Sequence, residues 1–470
     1  MFGGNRQGFC GIRQGFGRTR HAQSALFVSL LAVAVTATAC GGSSGSASRS
    51  STAAAATDPA CRGFAPYQGH AGTTVTIYSS ILSPESDSLE KSWAEFSRCT
   101  GIKISFEGSN DFESQLPVRV DGGNAPDLAV IPQPGLLAQM VRTGSVVAPP
   151  QAVVDNVSRY WNAAWKTYGS VDGTFYAAPM SANMKSFVWY SPKAFAAAGY
   201  QVPGTWAQLM ALSARIAASG KGKPWCGGIG SGTATGWPAT DWLEELVLRQ
   251  GGGDVYDRWV SHEVAFNSPE ITSAMSTLSA WMRNPAWVNG GFGAVQSIAT
   301  TTFQDAGKPI ITGKCWMLQQ ASFYEAQWPK KTVVGPQGDV FAFYLPPINP
   351  SVTTPVEGGG EFLTAFSKRP EVQAVQTYLS TPDWATSRIH VAPGWVSANT
   401  GVDPSTYTDP IDQLSAKYLT DRTATFRFDA SDLMPAAVGS GKEWQQMTTW
   451  FSSNASTSSV LKAIDAAWPS

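Results

Sequence analysis

Charge is scarce in this 470-residue chain: 14% of its residues are Asp, Glu, Lys or Arg, and they sum to −1. No run of Lys or Arg is dense enough to grip phosphates, which excludes nucleic acid as a natural partner. Histidine is scarcer still, with His70, His262 and His390 the only ones beyond the first forty residues. They are scattered and no Cys-x-x-Cys occurs, so a thiolate–imidazole metal site is not expected, and nothing calls for a cofactor. Three lone histidines are also thin material for a Ser–His pair. Gly41-Gly42-Ser43-Ser44-Gly45 fits a nucleophile-elbow spacing, but no strand precedes it. After the first forty residues no continuous apolar run approaches the ~20 residues that span a bilayer.

What is present begins at the amino terminus. Residues 1–24 carry Arg6, Arg13, Arg18 and Arg20 with no acid, and Ala25 to Val35 is apolar except for Ser29. A basic region, a short apolar core and small residues before a cut site read as a signal peptide over 1–39. The cut reads Ala37-Thr38-Ala39-Cys40-Gly41. It resembles the bacterial lipobox, whose Cys is acylated, although Ala37 stands where Leu is usual. Cys40 is therefore the expected lipid anchor on the extracellular face of the membrane. Gly41 to Ala60 is mostly Gly, Ser, Ala and Thr, with no large apolar side chain. It cannot bury enough surface to offset ordering, so 40–61 reads as a lipidated Cys and disordered linker reaching roughly 25 Å.

Cys61, Cys99, Cys226 and Cys315 remain, an even number in a compartment where disulfides persist. Three pairings are possible. Cys61–Cys99 with Cys226–Cys315 is favoured because the first two lie close in sequence within one lobe.

The folded part, about 410 residues, suits two domains or one two-lobed domain. Thr73–Tyr78, Ile102–Phe106 and Asp127–Ile131 read as strands separated by helices over Pro84–Cys99 and Phe112–Val120. That order predicts an α/β fold with mostly parallel sheets flanked by helices. Ligands on such sheets sit beyond the strands' carboxyl ends, here Ser79–Glu85, Glu107–Asp111 and Pro132–Pro134. Further on, Asp172–Tyr176 reads as a hairpin, Pro309–Ile311 and Phe341–Leu345 as strands, and Trp237–Arg249 as a helix with Pro near its start.

Gly122-Gly123-Asn124-Ala125-Pro126-Asp127, Tyr176-Ala177-Ala178-Pro179 and Val202-Pro203-Gly204-Thr205-Trp206 follow at characteristic distances. This succession resembles the family 1 extracellular solute-binding proteins of ABC sugar importers. Pro132-Gln133-Pro134-Gly135-Leu136, Gly236-Trp237-Pro238-Ala239-Thr240-Asp241-Trp242, Thr301-Thr302-Phe303-Gln304-Asp305 and Phe428–Pro435 are similar to the alpha-glucoside-binding branch. The resemblance implies a two-lobed periplasmic-binding-protein-like fold of type II with a sugar in the cleft. It implies lobes over 62–179 with 365–395 and over 180–364 with 396–470. The chain would cross near 178–182, 357–364 and 395–399. It also implies partners: a sugar, and the permease subunits of an importer that a single copy serves.

A pyranose has an apolar face and a rim of hydroxyls, so a sugar site pairs an aromatic plane with carboxylates and amides. Trp237 and Asp241 share one helix face at the start of their helix, as stacking plane and hydroxyl acceptor. Glu85, Asp111 and Gln133 follow the first three strands. Trp316 and Gln319 follow Cys315. Gly359 lies in a Gly358–Gly360 run suited to a hinge, Trp395 sits at the last crossing, and Asp429 and Asp432 flank Ser431. The same material fits two alternatives: a surface carbohydrate-active enzyme, which needs two opposed carboxyl groups, or an adhesion or signalling protein.

Overall fold

The computed structural model describes residues 58–469. The signal peptide, Cys40 and the linker as far as residue 57 lie outside the described residues. The end of the expected linker is not disordered. Asp58 caps the 3-10 helix Pro59–Tyr67 and pairs with Arg98 at 2.7 Å. Phe64 and Tyr67 pack edge-on against Phe96 and Tyr378, and Cys61 is bonded to Cys99. These aromatics and the disulfide supply what the Gly/Ser stretch lacks. The second disulfide joins Cys226 to Cys315.

The strands in chain order are β1 (Thr74–Ser79), β2 (Lys103–Gly108), β3 (Leu128–Ile131), β4 (Ser170–Val171), β5 (Thr174–Phe175), β6 (Ala177–Pro179), β7 (Asn183–Met184) and β8 (Phe187–Tyr190). They continue with β9 (Lys223–Cys226), β10 (Val288–Asn289), β11 (Cys315–Gln319), β12 (Phe341–Tyr344), β13 (Pro355–Gly359), β14 (Phe362–Ala365) and β15 (Thr425–Phe428). The first sheet runs β2-β1-β3-β14-β6. Its first three strands are parallel, while β14 runs antiparallel to both β3 and β6. The second sheet runs β10-β9-β11-β8-β12, and a third runs β15-β13-β7. This is the two-lobed α/β architecture expected.

β3 reads Leu-Ala-Val-Ile with every side chain buried, as a strand covered on both faces requires. Trp93, Phe96 and Leu89 fill one face of the first lobe together with Trp384 and Trp395. The expected helix over Pro84–Cys99 is two helices, Glu85–Ser92 and Ala94–Thr100, because Trp93 leaves helical geometry as it turns into that core. Pro309–Ile311 is also not a strand. It forms a helical turn, Lys308–Ile311, with the proline at its start, where a missing N–H costs nothing.

The chain passes from β6 in the first sheet to β7 in the third, and from β13 in the third back to β14 in the first. Only Gly360 and Glu361 separate β13 from β14. A further bridge joins Ala182 to Val396. Val402 and Tyr407 pack in the core of the first lobe. Among the described residues no helix is long and apolar enough to cross a membrane.

Candidate functional site

A cleft lies beyond the carboxyl ends of β1, β2 and β3, with about 950 Å³ of space counting its open mouth. Ile81, Ser83 and Glu85 line it after β1, Asn110 and Glu113 after β2, and Gln133 after β3. The facing wall carries Trp237, Phe303, Phe323 and Trp444. Its floor is made where the chain crosses between sheets: Asn183, Lys185, Gly359 and Glu361, with Asp429 and Asp432 beside them.

The aromatic wall is built by helix starts. Gly236 caps the helix Trp237–Val260 at φ 118°, a left-handed conformation open to glycine. A Cβ there would lie 2.2 Å from the Trp444 carbonyl oxygen. Only glycine lets the first turn sit that close, which fixes Trp237 in the cleft. Its ring meets Phe303 edge-on at 5.0 Å and Phe323 at 6.0 Å. The Trp444 indole N–H donates to the Ser431 hydroxyl at 3.2 Å.

Lys185 is the hub of the floor. Its Nζ donates to Asp241 Oδ1 at 2.8 Å and to Asp429 Oδ2, and lies 5.5 Å from the Trp237 ring centre. Burial alone would lower its pKa, but Asp241, Asp429, Asp432 and Glu357 hold it well above the usual lysine value. Burial likewise pushes Asp429 up, yet the Lys185 charge and hydrogen bond, the Asp432 N–H and the Ser431 hydroxyl bring it below the usual range. The remaining acids lack such help. Burial raises Asp241 to about 8 despite Lys185, and burial with the Glu85 charge raises Glu361 to about 8. Glu113 rises to about 7, again chiefly through burial. Glu357 rises well above the ordinary value from burial and from Glu245, Glu244 and Asp241; neither of its carboxyl oxygens has a partner among the described residues. A protonated carboxyl both donates and accepts, so Glu113 and Glu361 can bond a hydroxyl in either sense.

Of the residues singled out in the sequence, Glu85, Gln133, Trp237, Gly359, Asp429 and Asp432 line this cleft. Asp429 also caps the helix Ala430–Leu433. The others are elsewhere. Asp241 is one turn deeper than Trp237, 2% exposed, and spent on Lys185. Gln319 is buried and donates to the Lys185 carbonyl oxygen at 2.9 Å, so it positions the hub's backbone. Asp111 precedes the helix Phe112–Asp121 and points to solvent, leaving Asn110 and Glu113 to face the cleft. Trp316 packs on Phe195 and Tyr200 and donates to the Lys221 carbonyl at 2.7 Å; alternation along β11 puts it on the far face from Gln319. Trp395 stacks edge-on against Trp384 and lines a neighbouring cavity shared with Glu85, Phe323 and Arg388.

Lys185, Glu357, Glu361, Asn183, Glu113, Phe303, Phe323 and Trp444 were not anticipated as site residues. A signal existed for two of them. Lys185 is the only charge in the apolar stretch Ala177–Tyr190, and Phe303 sits in a motif quoted above.

This fold and cleft define a receptor for a small solute. Residues 82–389 match the family described as "Bacterial extracellular solute-binding protein", and the chain belongs to that family. It is 36% identical over 403 residues to the osmoprotective compounds-binding protein GgtB of Synechocystis sp., covering 84% of this chain and 92% of that one. It is also 36% identical over 416 residues to the alpha-glucosides-binding periplasmic protein AglE of Rhizobium meliloti, covering 85% and 88%. The solved structure of the bacterial solute receptor AcbH, described as preferring b-D-galactopyranose, is similar at a TM-score of 0.73 and 19% identity over 85% of this chain and 98% of that one. Maltose-bound T. maritima MalE3 is similar at 0.64 and 18%, covering 84% and 98%. At such identities the solved structures carry the fold alone.

Proposed function

We propose that this protein captures a sugar, an alpha-glucoside such as maltose, trehalose or a related oligosaccharide, and delivers it to the permease subunits of an ABC importer. One observation carries the reading: the Trp237–Phe303–Phe323 wall faces a floor of carboxyl and amide groups across the cleft. The aromatic faces suit the apolar side of a pyranose, and the floor suits its hydroxyl rim. The names of the relatives GgtB and AglE support a small glucoside-like solute. The chain acts as a receptor and not as an enzyme: it releases its sugar unaltered. Lobes over 62–179 with 365–395 and over 180–364 with 396–470 close about the crossings described, except that the segment at Val402 and Tyr407 moves with the first lobe, in whose core it packs.

Calorimetry with the purified chain and a panel of mono-, di- and trisaccharides tests the proposal. At least one alpha-glucoside should bind, with recovered sugar unchanged by chromatography. Silence across the panel would remove the sugar reading, and product formation would revive the enzyme. In the cell we propose that a lipid on Cys40 holds a single copy at the outer face of the membrane. Mass spectrometry of the mature amino terminus should find an acylated Cys40; an unmodified end refutes the anchor.

A further inference from the structure

A second acidic cluster stands apart from the cleft floor. Glu325, Asp409 and Asp412 place one carboxylate oxygen each within 4.8 Å of one another. They come from two elements: the 3-10 helix Ser322–Gln327 supplies Glu325, and Asp409 and Asp412 open the helix Pro410–Leu419. The loop at Gly394 closes over them.

Two features separate this cluster from a chance gathering of acids. Glu325 is 7% exposed and Asp412 is 2% exposed, yet among the described residues Glu325 Oε2 and Asp412 Oδ1 have no hydrogen-bond partner. The two carboxyl groups bond otherwise to Asp409 and to the Gly394 N–H, respectively. Among the described residues no positive side chain acts on either: the charges that bear on Glu325 are Asp409 and Asp412, and the one that bears on Asp412 is Asp409. Asp241, Glu244 and Asp429, at and beneath the cleft floor, form a similar triad, but there Lys185 already supplies the cation to Asp241 and Asp429.

We infer that Glu325, Asp409 and Asp412 bind a divalent cation of the calcium type. Calcium takes carboxylate and carbonyl oxygens at about 2.3–2.6 Å, so two of its ligands lie at most about 5 Å apart, as these do. All three donors are hard oxygens, which disfavours the softer transition metals. The backbone is compatible. Gly394 adopts φ 77°, and a Cβ there would lie 2.7 Å from the Ser322 carbonyl oxygen and 3.4 Å from Glu325 Oε2. Glycine thus brings the loop against the cluster without filling it. Asp409 is only partly buried and uses Oδ1 for the N–H groups of Ile411 and Asp412, which leaves Oδ2 and an approach from solvent.

The competing arrangement is neutralisation by protons, since burial without an ion pushes Glu325 up to about 10 and Asp412 to about 8. A cation would do more than neutralise. It would tie the helix Ser322–Gln327, which carries Phe323 and Gln327 into the cleft, to the Gly394 loop and the helix Pro410–Leu419. The site therefore staples part of the cleft wall to the segment next to the last crossing.

The test is calcium stoichiometry and melting of the purified full chain, stripped with chelator and dialysed against 1 mM calcium, a concentration of about the magnitude expected outside cells. One calcium per chain is expected, with a melting temperature about 3 °C higher than in chelator. Asp412→Asn keeps the shape and should lose both effects; if it does not fold, Glu325→Gln is read instead. Less than about 0.2 calcium per wild-type chain would overturn the inference and leave the proton-sharing arrangement. So would a folded variant that still holds one calcium, because the ion would then sit elsewhere.

Discussion

Replacing Lys185 with methionine is the most informative perturbation, because the residue is 5% exposed and its two carboxylate partners are still more buried. Methionine keeps the volume and removes the charge. Asp241, which lies 2.8 Å from Nζ, and Asp429 would then be buried without a cation. Breaking one side of such a cluster costs about 3–5 kcal/mol. At ~2 °C per kcal/mol for a chain of this size, the melting temperature should fall by roughly 5–10 °C. The pH dependence is the sharper part. In the wild type Asp429 is held below its unfolded value, so it stabilises the fold above that value and the contribution is lost only in acid. Lys185 is held above its own, so its contribution is constant through neutral pH and fades only in strong base. Without Lys185, burial acts on Asp429 unopposed and raises it. A raised carboxyl stabilises the fold in acid and loses that contribution as pH climbs past its unfolded value, about 4. The deficit of Lys185→Met should therefore widen from pH 5 to pH 8, and Asp429→Asn added to it should narrow the gap at pH 8. Melting curves across that range decide. A loss below ~2 °C, or one that is flat with pH, would refute the account of Lys185 as the charge that keeps Asp429 ionised.

Two further outcomes are expected. Trp237→Ala should weaken sugar binding about tenfold while shifting the melting temperature little, since a pyranose face covering roughly 50 Å² of ring at ~25 cal/mol per Å² is worth about 1.3 kcal/mol; unchanged affinity by calorimetry would take Trp237 out of the site. Replacing Cys226 and Cys315 by serine should cost more than replacing Cys61 and Cys99, by about 0.7 kcal/mol in the chain-entropy account, because the pairs are 89 and 38 residues apart; denaturant midpoints of the two double variants check the order.

The sequence is most legible where function follows from local order. Three parallel strands joined by helices place their carboxyl-end loops on one side, and Glu85 and Gln133 reach the cleft for that reason. Within a loop the rule is blind to direction. After β2 it favours Asp111, whereas the first turn of the following helix aims Glu113 inward. Trp237 and Asp241 do share a helix face, but the helix runs away from the cleft, so the same face passes from ligand wall to buried hub within one turn. The partners of Lys185 are the least legible of all. They are 56 and 244 residues away, and no local pattern reports a contact made across such separations. Trp316 shows the converse: an aromatic next to a disulfide in a strand, whose alternation hides it on the opposite face.

The packed segment at Asp58 fixes the end of the first lobe at which the upstream chain joins. Cys61 is tied to Cys99, at the end of the helix that leads into β2, and Gly72 bonds back to Gly101. That is the entry edge of the parallel strands; the sugar cleft opens at their exit edge, about 20 Å away along six residues of strand. Whatever chain arrives from upstream joins the base of the first lobe and not its rim. Under the proposed Cys40 anchor, the point of attachment and the cleft mouth lie at opposite ends of the parallel strands, which leaves the mouth clear of the tether.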